Sequence, residues 1–125
     1  MAEKSCACGS GSLTLIFACS GAANVGKMAD EAARKLAKDG KGKMYCLAGL
    51  GGDVKDIVET TRSADRILVI DGCPTDCAKK TVERAGITKC AFVRVTDLGL
   101  EKGKTPVTED AIAKAAAAGD KALSC

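Results

Sequence analysis

The chain reads as a three-layer, Rossmann-like α/β fold around a mostly parallel four-stranded sheet. Three observations predict it. Short apolar runs alternate with helical periodicity in the order βαβαβαβα, which implies parallel strands joined by right-handed crossovers. The run Arg66–Asp71, RILVID, is apolar almost without interruption, as suits a strand covered on both faces. The 125 residues make one ordinary domain, and Gly or Asp residues stand at the ends of the runs.

Residues 1–12 carry little apolar bulk and are rich in Ser, Gly and Cys, so they read as a flexible, Cys-containing arm, with one domain over 13–125. The run at 13–18, LTLIFA, suits a buried first strand. A helix follows from Val25, with Val25, Met28, Ala32, Leu36 and Ala37 on one face and Gly40 and Gly42 ending it. Residues 43–47, KMYCL, read as a second strand entering a glycine-rich turn, AGLGG. Asp53 suits the cap of a helix over 54–61. After the 66–71 strand, Gly72 turns the chain and Asp76 suits the cap of a helix over 77–86. Residues 90–95, CAFVRV, make the fourth strand. A polar loop leads to Thr108, which suits the cap of an alanine-rich helix over 108–118.

Composition narrows the function. A net charge of +3 without aromatic interleaving argues against a nucleic-acid partner. No apolar run reaches membrane-spanning length, and the N-terminus lacks the apolar core of a signal peptide, so the expected location is cytoplasmic. Eight cysteines in a reducing compartment point to metal or thiol chemistry rather than a disulfide framework. Histidine is absent, so a metal site must draw on thiolates or carboxylates.

Ligands of open α/β sheets bind beyond the carboxyl ends of the strands. Cys19, Cys46, Cys73 and Cys77 all fall at that end, from three separate connections. Four thiolates suit tetrahedral zinc, and an Fe–S centre is the alternative. Cys77, at a helix start, is placed for stabilisation as a thiolate. Cys90 begins a strand and belongs at the opposite end. Cys6, Cys8 and Cys125 lie outside this set; the Cys6–Cys8 pair suits metal shuttling, a swing over the main site, or no role beyond a loose arm.

Other readings compete. A thiol-based redox or transfer enzyme would use Cys19 or Cys73 as nucleophile and Cys77 as resolving thiol. Gly21 through Lys27 fits most of a phosphate loop, but Met28 replaces its Mg²⁺-binding Ser or Thr, leaving a nucleotide- or anion-binding alternative. The same two glycines also serve a tight strand-to-helix turn. Cys19 ahead of a small-residue loop suggests an oxyanion-binding phosphatase loop, but Val25 stands where its Arg is required. Asn24 suits a helix cap, and Asp71 suits a satisfied structural carboxylate.

The ordered set Cys19-Ser20-Gly21-Ala22, Cys46-Leu47-Ala48-Gly49 and Asp71-Gly72-Cys73 with Cys77 resembles the DGC-domain family over about residues 13–118. That resemblance implies zinc held by these four cysteines. A metal ion, a small anion and a metal-transfer protein are the partners expected; no reaction or oligomeric state follows.

Overall fold

The computed structural model describes residues 12–124. Its sheet has four parallel strands in the order β2-β1-β3-β4. They are β1 (Thr14–Ala18), β2 (Lys43–Met44), β3 (Arg66–Asp71) and β4 (Ala91–Arg94). The helices are α1 (Asn24–Lys38), α2 (Leu47–Gly51), α3 (Lys55–Ser63), α4 (Cys77–Arg84) and α5 (Glu109–Leu123), with a 3-10 turn at Val95–Leu98.

The two central strands show why the sequence gathers three layers. Successive side chains of a strand face opposite ways. Ile16 and Ala18 of β1, with Leu68 and Ile70 of β3, join a core against α1 and α5. Leu15 and Phe17, with Ile67 and Val69, join a second core with Val58 of α3 and Val82 of α4. Both faces are therefore apolar, and the alternation expected of a one-sided strand disappears. Helix α1 buries Val25, Met28, Ala29, Ala32, Ala33 and Leu36, so Ala33 rather than Ala37 completes its inner face.

Strand order places the site. From β1 the chain moves outward to β2, then returns across β1 to form β3. The direction of winding reverses between β1 and β3, and their diverging connections leave a crevice beyond the carboxyl ends. The backbone of Cys19 still belongs to the sheet: its N–H donates to the Ile70 carbonyl at 3.1 Å.

Several expected boundaries move. Strand β2 stops at Met44, and the glycine-rich segment forms α2 instead of an open turn. Within this helix Gly49 has no room for a Cβ, because Ile57 occupies the space where one would stand. Helix α3 is capped at Val54, not by Asp53, which adopts φ of +60°. Strand β4 is shortened as Val95 turns into the 3-10 segment. Helix α5 continues five residues past 118; Gly119 presses so closely on Leu36 and Leu68 that its missing Cβ is what admits the contact. Thr108 does cap α5, its Oγ1 accepting from Ala111 N–H at 3.1 Å.

Candidate functional site

The Asp71-Gly72-Cys73 triplet divides its work by residue. Asp71, 1% exposed, ends β3 and accepts two backbone hydrogen bonds at 2.9 Å, from Ala78 and Lys79. It thus satisfies first-turn N–H groups of α4 from a position six residues before the helix. Burial pushes the Asp71 pKa up, with the two N–H groups pulling the other way. The structural reading of this carboxylate holds.

Gly72 lies against α1. A Cβ there would stand 2.9 Å from the Gly26 nitrogen and the Val25 carbonyl carbon. Gly26 is equally constrained, since its Cβ would meet the backbone of Gly21, with the carbonyl carbon 2.7 Å and the nitrogen 2.8 Å away. The two glycines bring the β1–α1 and β3–α4 connections into backbone contact. Gly21 itself has open space around it.

Asp76, expected to cap α4 with its side chain, occupies the cap position at φ +56° without making that bond. Its carboxylate instead takes two hydrogen bonds from Arg94, at 2.6 and 2.9 Å. Arg94 also reaches Asp97 at 3.1 Å. These bonds, Arg94's foremost, hold the Asp76 carboxyl below its usual range. The bidentate pair ties the loop to β4 and fixes a left-handed residue just before Cys77.

Between these connections lies a cavity of about 460 Å³, whose wall includes Cys19, Asp71, Cys73, Asp76, Cys77 and Lys102 together with small residues of the β1–α1 connection. This is the size range of small-molecule sites. Cys73 is half-buried, with Sγ 3.4 Å from Thr75 Oγ1 and 3.7 Å from Lys102 Nζ. The Thr75 hydroxyl and N–H, followed by the Lys102 charge, lower its pKa against the opposing effect of burial.

The cysteines separate into two environments. Cys19, Cys73 and Cys77 line the cavity, whereas Cys46 is exposed and caps α2 by accepting the Gly49 N–H at 3.2 Å. All four, with Cys90, are free thiols. Cys90 precedes β4, away from this edge, and burial raises its pKa. The readings placed on Cys6, Cys8 and Cys125 lie outside the described residues.

The four-thiolate centre is not assembled. Among the described residues, no three Cys, Asp or Glu side chains gather to hold a metal. Tetrahedral zinc requires sulfurs within about 4 Å of one another. Early termination of β2 puts Cys46 at the cap of α2, and the cavity's acids serve Ala78, Lys79 and Arg94. The expected zinc site, its Fe–S alternative and the metal-ion and metal-transfer partners are thereby overturned. A metal-binding description does not fit the donor set.

Asn24 is a further correction. Ala23 occupies the α1 cap, and Asn24 turns its amide to the 99–107 loop. Its Nδ2 donates to the carbonyls of Glu101 and Thr105 at 2.9 and 2.7 Å, and its Oδ1 accepts from Gly103 N–H at 2.7 Å. Thr75 and Lys102 were not singled out by the sequence. A parallel sheet delivers the connection after every strand to one edge, and that topological rule is the signal that could have found Lys102.

The architecture and this edge define a class: a doubly wound α/β domain with a thiol-lined cavity at its switch point. The chain belongs to the DGC domain family, whose family model matches residues 15–118. It is 38% identical over 90 residues to the Anaerobic and virulence modulator AnvM of Pseudomonas aeruginosa, a match covering 72% of this chain and 69% of that protein. No solved structure matches the chain. Among the described residues, no helix is long and apolar enough to cross a membrane.

Proposed function

We propose that the domain presents Cys73 as a reactive thiolate to a small electrophile held in the switch-point cavity. The observation that carries this reading is the placement of Cys73 Sγ at the cavity, between Thr75 and Lys102. Hydrogen bonding and a nearby cation favour the thiolate, the form that attacks. Thiol–disulfide exchange is the reaction class. The Cys73 thiolate attacks one sulfur of a low-molecular-weight disulfide, a Cys73–sulfur bond forms, the original S–S bond breaks, and the other half leaves as a thiolate. The disulfide is the oxidant: Cys73 is oxidised as the departing half is reduced to its thiolate.

This chemistry accords with the relative's name, which connects that protein with anaerobic conditions. A thiolate that records the supply of oxidised thiols would give this domain a response to redox state. The reading places the protein in the cytoplasm, where reducing conditions keep Cys73 available.

The test is the pH–rate profile of iodoacetamide alkylation, resolved by residue with fragment mass spectrometry. Cys73 is expected to react with a midpoint below the ordinary thiol value of about 8.5. Thr75→Ala should move that midpoint up, and at pH 7 Cys73 should outpace Cys90. Equal rates at the two cysteines would remove the basis for a reactive thiolate.

A further inference from the structure

The charged lining of the cavity is uneven once its partners are counted. Asp71 spends its carboxylate on two backbone N–H groups of α4. Asp76 is neutralised by the two-pronged bond from Arg94. Cys19 and Cys77 line the wall with Cys73. Lys102 directs its ammonium at Cys73 Sγ from 3.7 Å. As the thiolate forms a covalent bond it loses its charge, and the ammonium is left facing whatever has been bound.

Lys102 belongs to a loop that contains no strand or helix of its own. Within that loop, Thr105 N–H donates to the Glu101 carbonyl at 3.0 Å, and Glu101 N–H donates to Thr105 Oγ1 at 2.7 Å. Asn24 adds three bonds from outside, to Glu101, Gly103 and Thr105, on both sides of Lys102. It does so from the first turn of α1, whose body is buried in the core. The side chain of Asn24 does not touch the thiol. It determines where Lys102 can stand.

We infer that Lys102 selects electrophiles carrying a negative charge, and that Asn24 is the positioning residue that makes this selection by pinning the loop on both sides of Lys102. The inference rests on the Cys73 reading and names its substrate class: a small anionic electrophile such as a carboxylate-bearing disulfide. The carboxylate pairs with the Lys102 ammonium while the electrophilic atom meets Cys73. Arginine at 102 retains the function, because the requirement is a cation at that place.

Two alkylating reagents separate charge selection from thiol reactivity. Iodoacetate and iodoacetamide meet the same thiolate: sulfur attacks the CH2 carbon, a C–S bond forms, and iodide leaves with the electron pair. Only iodoacetate is anionic. The ratio of their rates therefore cancels the thiolate population. It would be measured at Cys73 in the full chain, with Cys90 as internal reference, by fragment mass spectrometry.

The iodoacetate-to-iodoacetamide ratio at Cys73 should exceed that at Cys90 by about two- to fivefold, the range of a partly exposed ion pair. Salt at about 1 M should compress the difference. Lys102→Met should abolish it and Lys102→Arg should keep it. Asn24→Ala should lower it toward the Lys102→Met value, and the double variant should fall no further. Asn24→Leu, which keeps the bulk of the side chain, adds no charge and loses all three bonds, gives the same test if the alanine variant does not fold. An unchanged ratio in Lys102→Met overturns charge selection. A drop there with none in either Asn24 variant overturns the positioning role. Sluggish iodoacetamide alkylation of Cys73, by contrast, overturns the thiolate reading itself, and the inference with it.

Discussion

Replacing Asp71 by Asn preserves the shape of the side chain and changes its hydrogen-bonding complement. The wild-type carboxylate accepts from Ala78 and Lys79, each at 2.9 Å, in a site that is 1% exposed. Asparagine offers one oxygen and one NH2, so one of the two backbone N–H groups faces another donor. A hydrogen bond to a charged group contributes roughly 1.5–3 kcal/mol, and an orphaned buried donor costs about 1–3 kcal/mol. Relief from burying a charge offsets part of this. Burial is the leading cause of the raised Asp71 pKa. A raised folded-state value contributes stability that is complete below the unfolded value and lost as pH rises through the folded one. The net cost of Asp71→Asn is about 2 kcal/mol. Asp71→Ala loses both bonds and leaves a void, for a cost on the order of 4 kcal/mol. Urea unfolding followed by far-ultraviolet circular dichroism measures both. With a slope of about 2 kcal/mol per molar urea, the Asn variant should unfold about 1 M earlier and the Ala variant about 2 M earlier. Shifts under about 0.3 M in both variants would refute the account of Asp71 as the residue that satisfies the start of α4.

Two other substitutions test the loops around the cavity. Gly26→Ala should destabilise by about 3 kcal/mol or more, because its Cβ meets rigid backbone at Gly21; Gly21→Ala, with open space, should stay within about 0.5 kcal/mol. Thermal melts of the two variants make the comparison, and equal melting temperatures would contradict it. The Arg94–Asp76 pair should appear in acid. Asp76 has a lowered pKa, so its contribution is present above the unfolded value of about 3.8 and is lost as pH falls through the folded value. Arg94→Met should therefore show a flatter loss of stability below about pH 4 than the wild type, as read by urea midpoints across a pH series.

The architecture was legible because the physics that sets it is local. Apolar runs at 13–18 and 66–71 name the two central strands, and β3 falls on the expected residues, Arg66–Asp71. Helical spacing locates α1, and Thr108 marks the start of α5. The triplet drew attention to the correct edge, since strand ends in a parallel sheet converge there. Segments with few apolar residues were less readable. In 43–52, glycines that look like a turn form α2, and the need for one of them, Gly49, lies in a tertiary contact with Ile57 that leaves no room for a Cβ. Asp53 and Asp76 each have the chemistry of a cap, yet both take a left-handed conformation, Asp53 standing before the cap of α3 and Asp76 at the cap of α4 without the side-chain bond.

What the sequence by itself determined is the α/β order, the two-sided core and the edge at which thiols collect. These follow from side-chain alternation and helical period. Only the tertiary structure decided which thiols share a cavity and what stands beside them. Cys46 leaves the group because β2 ends after two residues, a consequence of edge pairing rather than of the cysteine spacing. Asp71 serves the backbone of α4, Asp76 serves Arg94, and Asn24 holds a loop 79 residues away. Such bonds depend on how the connections fold over one another. The same closure brings Lys102 to Cys73, and so turns an expected set of metal ligands into the surroundings of a single thiol.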